Sequence, residues 1–226
     1  LINYSQPSKE MLEEGLEDVQ DLIAFCARVS NPSNQFNMET SEKLLNYLSK
    51  HKHWSPFEMA SACIEIETTR DIARQILRHR SFSFQEFSQR YADPTNALSG
   101  LSFTIREARL QDPKNRQNSI DLDMSDDYQG GLQDRWAQMQ QHLINETIRT
   151  YRWAIDNGIA KEQARAVLPE GLTMSRMYMN GTIRSWIHYI ELRSGSGTQK
   201  EHMEVARAVA EAIYEKKQPI ASNALN

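Results

Sequence analysis

Ala62 to Tyr91 reads ACIEIETTRDIARQILRHRSFSFQEFSQRY, and its periodicity changes once, at Arg70. Before that point Ala62, Ile64, Ile66 and Thr68 alternate with Cys63, Glu65 and Glu67, the two-residue period of a strand with one buried face. From Arg70 to Arg80 the apolar residues Ile72, Ala73, Ile76 and Leu77 recur at three- and four-residue steps, the stripe of an amphipathic helix. A strand that runs straight into a helix sets the class. The chain reads as α+β, a single helix-rich domain over 1–226 with a small, mainly antiparallel central sheet.

The same periodicities extend outward. Leu12, Leu16, Val19, Leu22, Ile23 and Cys26 predict one helix, and Leu44, Leu45 and Leu48 a second over 41–50, capped by Thr40 or Ser41. Leu101, Phe103 and Ile105 alternate as a second strand, and Leu172 to Met179 as a third, closed by an Asn180-Gly181 turn. The polar stretch 111–131, with Pro113, Gly130 and Gly131, reads as a loop excursion. A long helix fits 132–157, ended by Asn157-Gly158 as a left-handed cap. Shorter helices fit 161–168, the segment after Thr182 as far as Arg193, and 199–216 with Met203, Ala206, Val209 and Ile213 inward.

Composition narrows the function classes. The chain has 226 residues, 39% apolar and 25% charged, and a formal charge of −4, the profile of an ordinary globular protein large enough to bury a core unaided. A pI near 5.9 argues against nucleic-acid binding by bulk charge. The lack of any long apolar run and a mean hydropathy of −0.65 predict no membrane association, and the early acids predict no leader peptide. Two cysteines, Cys26 and Cys63, read as buried thiols of a reducing, cytoplasmic compartment.

The basic residues are skewed, 17 Arg against 9 Lys, toward the side chain that grips phosphate or carboxylate with a planar fork. They concentrate in Arg70 to Tyr91, which is net +3 inside a net-negative chain. There Arg70, Arg74, Arg78, Arg80 and Arg90 surround Gln75, Ser88 and three Phe, a set suited to an anion and a planar ring; a solvated basic face followed by a serine-rich loop is the plainer alternative. His51 and His53 lack a third ligand at supporting spacing, so no metal is expected. Arg184, His188 and Glu191 share one helix face, ahead of Arg193 and the segment Ser194-Gly195-Ser196-Gly197-Thr198. Ser88 has no nucleophile elbow around it and reads as a hydrogen-bonding ligand.

Arg78-His79-Arg80, followed after seven residues by Ser88, resembles the signature of flavin-dependent thymidylate synthases. Four further stretches resemble that family, in its order: Ala27-Arg28-Val29-Ser30; His53-Trp54-Ser55-Pro56-Phe57-Glu58; Ala164-Arg165 with Leu168-Pro169; and Arg184-Ser185 through Leu192-Arg193. Thr182 stands where many members have Asn, and Gly197 where some have His.

The resemblance implies an activity. Such enzymes methylate dUMP to dTMP with methylenetetrahydrofolate as carbon donor, reduced FAD as hydride donor and NADPH as reductant, in homotetramers whose sites are shared between subunits. It implies Gln75, Arg78, Glu86, Ser88, Gln89, Arg90, Arg165 and Arg193 as dUMP ligands, with Arg193 activating the pyrimidine. It implies Ser55, Arg78, His79, Arg80, Glu86, Arg184 and His188 as FAD ligands, and places His53 and Tyr91 near the flavin and folate rings. It needs no cysteine nucleophile. An Arg-mediated nucleotide or RNA binder, and a catalytically dead sensor on the same fold, are the competing readings.

Overall fold

The structure, a computed structural model, describes residues 1–95 and 103–215. Its centre is the expected strand-into-helix unit, present twice. Strand β2 (Ser61–Thr69) runs directly into helix α4 (Arg70–Ile76), and β6 (Met174–Thr182) directly into α7 (Ile183–Arg193). The two strands pair antiparallel from Ser61↔Thr182 to Thr69↔Met174, so the helices leave from opposite ends. Each helix start is tied across to the partner strand's approach: Arg70 N donates to Thr173 O at 3.0 Å and Ile183 N to Ala60 O at 2.9 Å. Short edge strands β1 (Asn3–Tyr4) and β3 (Ser83–Glu86) complete the order β1-β2-β6-β3.

One sheet face is core. Ile64, Ile66, Met177 and Met179 meet Ile72 and Ile76 of α4, Trp186 and Ile190 of α7, and Ala206 and Val209 of helix α8 (Lys200–Tyr214). Trp186 is fully buried and donates Nε1–H to Ala62 O at 3.0 Å, which satisfies its one polar atom inside the core. The opposite face carries Glu65, Glu67, Arg176 and Tyr178 and stays polar, with Arg176 ion-paired to Glu67. Alternation therefore selects the buried face, as the sequence period requires.

Several expectations are corrected. The helix expected from Leu12 to Cys26 is two: α1 (Lys9–Glu13) and α2 (Val19–Ala27). Gly15 takes a left-handed φ of 100° between them, and Asp18 caps α2 by accepting from Gln20 N and Asp21 N, so local caps override the apolar stripe. Helix α3 (Ser41–Lys50) forms as expected. Asn180-Gly181 is no turn but the end of β6, Gly181 pairing with Ala62. A Cβ at Gly181 would lie 2.4 Å from the Phe82 ring, so the glycine serves close approach.

Ser83–Glu86, part of the polar run that reads as binding groups or, alternatively, as a serine-rich loop, is edge strand β3, and α4 ends at Ile76 before reaching Arg80. In the strand expected around Leu101 to Ile105, Leu101 lies outside the described residues, and Phe103 makes only an isolated bridge to Thr173. The excursion 111–131 is largely ordered. It holds most of a hairpin of β4 (Arg109–Gln111) and β5 (Ser119–Asp121) and the first turn of helix α5 (Asp127–Asp156). Gly158 beyond α5 has φ 78°, the expected left-handed cap. Helix α6 (Lys161–Ala164) gives way to a 3-10 turn at Arg165–Val167. Cys26 and Cys63 are free and half-buried, less enclosed than expected. Among the described residues no helix is long and apolar enough to cross a membrane.

Candidate active site

Because α4 stops at Ile76, the chain turns sharply before β3, with His79 N donating to Ile76 O at 3.0 Å and Phe82 N to His79 O at 3.3 Å. This turn throws Arg78 and Arg80 outward, where both are exposed and meet no partner among the described residues. His79 points the other way, half-buried, its ring edge-on to Tyr189 at 4.9 Å. Arg193, at the end of α7, donates Nε–H to His79 Nε2 at 3.0 Å. Burial first, and the Arg193 charge second, lower the His79 pKa, as expected for a desolvated base beside a cation. His79 is thus a neutral acceptor. Arg193's two Nη groups find no partner among the described residues.

The segment leaving β3 builds a second group. Glu86 accepts from Ser175 Oγ at 2.8 Å and from Arg70 Nη1 at 3.4 Å. Ser88 Oγ receives Arg90 N at 3.4 Å, and Arg90 stands 3.8 Å from Glu162. Gln89 is almost wholly buried, 4% exposed, and its Nε2 has no partner among the described residues. It lines a cavity of about 410 Å³ with Arg70, Arg74, Glu162 and Arg165. Arg74 is ion-paired to Glu170 there, while among the described residues Arg165 makes only an Nε contact to Glu162 O at 3.3 Å. A buried amide donor without a partner beside forked cations is a place where an anion satisfies groups that the fold leaves open. Tyr91 is 79% exposed.

The third group lies where the 3-10 turn Ser55–Glu58 packs on α7. Arg184 pairs with Glu58, and His188 meets the Trp54 ring edge-on at 4.8 Å. His53 and Ser55 are exposed beside them, and His51 stacks on Tyr47 at 4.0 Å. Among the described residues no group of three His, Cys, Asp or Glu is arranged to hold a metal ion.

Gln75, expected at the site, donates Nε2–H to Gln199 Oε1 at 2.8 Å and faces His202 Nδ1 with Oε1 at 3.2 Å. His202, Tyr189 and Gln199 went unread in the sequence. The signal was there: His202, Ala206, Val209, Ala210 and Ile213 are the buried positions of α8, three- and four-residue steps that put the histidine, rather than Met203, on the buried stripe.

The sequence model of the Thy1 family, thymidylate synthase complementing protein, matches residues 11–219. A probable flavin-dependent thymidylate synthase of Paramecium bursaria Chlorella virus 1 is 47% identical over 226 residues, covering 100% of this chain and 97% of the relative. The flavin-dependent thymidylate synthase of Synechocystis is 47% identical over 206 residues, covering 91% and 89%. Among solved structures, the UMP/dUMP methylase PolB of Streptomyces cacaoi, bound with 5-Br dUMP, superposes with a TM-score of 0.74 at 26% identity, covering 91% of this chain and 89% of PolB. Matched by the family model from residue 11 to 219 and by a relative along its whole length, the chain belongs to the flavin-dependent thymidylate synthases.

Proposed function

We propose that this chain, as one domain over 1–226, reductively methylates dUMP to dTMP, taking its carbon from methylenetetrahydrofolate. The observation that carries the reading is the Arg193–His79 pair: a guanidinium held through Nε with both Nη groups open and no carboxylate bonded to it among the described residues. Such a cation stabilises negative charge developing on a pyrimidine, favouring the N3-deprotonated, nucleophilic form, and its fixed orientation adds no reorganisation cost. Arg165 and Gln89 line the cavity of about 410 Å³ and, with Ser88 and Arg90 on either side of Gln89 in the chain, take the nucleotide's phosphate, with Gln75, Arg78 and Glu86 completing its contacts. No thiolate is required, and burial raises both cysteine pKa values, away from a nucleophilic state.

The donors present also fit FAD. Arg78 and Arg80, exposed and without a carboxylate partner among the described residues, with His79, Ser55, Arg184, His188 and Glu86, supply the cations and hydrogen-bonding groups that a diphosphate and a polar ring need. His53 and Tyr91 add exposed rings for the flavin and folate. When bound, reduced FAD supplies the hydride that takes the transferred methylene to a methyl group, and NADPH restores it. A homotetramer with shared sites is supported by the outer side of α5, where Trp136, Met139, Leu143 and Trp153 lie exposed on one flank of the helix. Two free thiols support a cytoplasmic setting.

Product analysis tests the reading. Purified protein given dUMP, methylenetetrahydrofolate, FAD and NADPH yields dTMP, and yields none when NADPH or folate is withheld. A flavin-loaded protein that forms no dTMP contradicts it.

A further inference from the structure

Behind the Arg193–His79 pair a chain of five hydrogen bonds joins Arg109 of β4 to Tyr189 of α7, and one group fixes the direction of its inner four. Glu201 is a carboxylate and only accepts. Gln199 must therefore give Glu201 Oε2 its Nε2–H, at 2.9 Å, and turn Oε1 toward Gln75. Gln75 must then donate Nε2–H to Gln199 Oε1, at 2.8 Å, and turn its own Oε1 toward His202. His202 accordingly carries its proton on Nδ1, 3.2 Å from that oxygen. Its Nε2 is bare and accepts the Tyr189 hydroxyl at 3.2 Å.

Both ends of the chain are anchored. Arg109 Nη2 pairs with Glu201, with side-chain exposures of 11% and 22%. Lys200 ties the same turn of α8 to Glu107 at 2.7 Å and to Asp121 of the hairpin at 3.0 Å. At the inner end His202 has no exposed surface and Tyr189 1%. Burial first, then the Arg193 charge and the neighbouring His79, depress the His202 pKa to about 4, so the ring stays neutral at physiological pH.

An amide has nearly the same shape after a flip, so packing alone does not choose which atom of Gln75 faces which way. The bonds do. They leave Gln75 one further Nε2 hydrogen and one further Oε1 lone pair, each in a set direction. We propose that Glu201 and His202 are positioning residues that lock the Gln75 carboxamide in one orientation for the nucleotide, and that the hairpin holds this lock through Arg109. The proposal rests on the functional reading above, in which Gln75 touches dUMP, and it gives the polar excursion after Arg109 a task.

Steady-state kinetics of the holoenzyme test it. Glu201→Gln, whose amide no longer dictates direction, raises KM for dUMP about tenfold, the equivalent of about one hydrogen bond, while kcat and bound flavin hold. His202→Leu does the same. His202→Asn, whose Nδ2 stands where the imidazole Nδ1 stood, keeps KM within about twofold. Arg109→Gln moves KM in the same direction as Glu201→Gln, and an unchanged value removes the hairpin from the lock. Unchanged KM in Glu201→Gln, or equal rises in His202→Asn and His202→Leu, overturns the proposal. Should His202→Leu not fold, ¹⁵N spectra of ring-labelled histidine in the wild-type protein decide the tautomer: Nδ1–H is expected, and Nε2–H overturns the lock. A wild-type protein without dUMP turnover contradicts the functional reading instead, and the ¹⁵N spectrum still decides the network.

Discussion

Arg193 Nε lies 3.0 Å from His79 Nε2, so an arginine that ends one helix is oriented by a histidine from the turn after another. The histidine accepts because it is neutral, and it is neutral because it is half-buried beside that same cation. Geometry and protonation state support each other. The pair also joins two stretches more than a hundred residues apart, since β2 and β6 are neighbours and each leads directly into its helix.

Truncating that guanidinium is expected to stop the chemistry and spare the cofactor. Arg193→Ala lowers kcat for dTMP formation by at least about 10²-fold, the scale of removing one preorganised electrostatic donor. Bound FAD, read from visible absorbance, is retained because the proposed partner of Arg193 is the pyrimidine. Near-wild-type turnover removes Arg193 from the mechanism.

Acid should unlock the interior. His79 and His202 both have folded pKa values below their ordinary 6.5, His202 at about 4. Below pH 6.5 the unfolded chain binds protons that the folded chain refuses, so stability is lost as pH falls from there and the loss levels off only below the folded values. The groups facing His202 are Arg193, His79, Tyr189 and Gln75, and none is an acid that would favour the imidazolium. Thermal melts from pH 7 to pH 4 should fall more steeply for wild type than for His202→Asn; parallel slopes contradict this.

Close approach at one glycine has a measurable cost. Gly181→Ala drives a methyl to within 2.4 Å of the Phe82 ring, which packs edge-on against Trp186 at 4.6 Å. The expected loss is about 1–3 kcal/mol, or several degrees of Tm at about 2–4 °C per kcal/mol. Phe82→Leu in the same chain recovers part of it. An unchanged Tm for Gly181→Ala shows that the ring moves aside freely.

Removing both thiols should leave activity in place. The Cys26→Ala, Cys63→Ala double variant forms dTMP with NADPH dependence intact, because burial pushes both thiols up and neither is needed as a nucleophile. Complete loss in a folded protein reopens a thiolate route.

The elements that periodicity revealed are those where core burial dominates: β2, α3, α7 and the body of α5 follow the pattern of their apolar residues. The failures have local causes. Gly15 and Asp18 divide one apolar stripe into two helices, and Asn180-Gly181 carries a turn's composition but lies in a strand because Phe82 needs the space. The Ser83–Glu86 strand is an edge with one partner, β6, so little burial marks it in the sequence. At the candidate site the cationic residues were legible because Arg without matching acids is conspicuous. The positioning group was not, because a buried histidine on an apolar stripe, as at position 202, gains its meaning only from Gln75, Gln199 and Tyr189, which the fold brings to it.

The most direct test is the visible spectrum of the purified protein under argon. The account predicts an oxidised flavin band that bleaches on adding NADPH, and bleaches faster with dUMP present. A colourless protein that cannot be reconstituted with FAD, or a flavin that NADPH leaves oxidised, contradicts it.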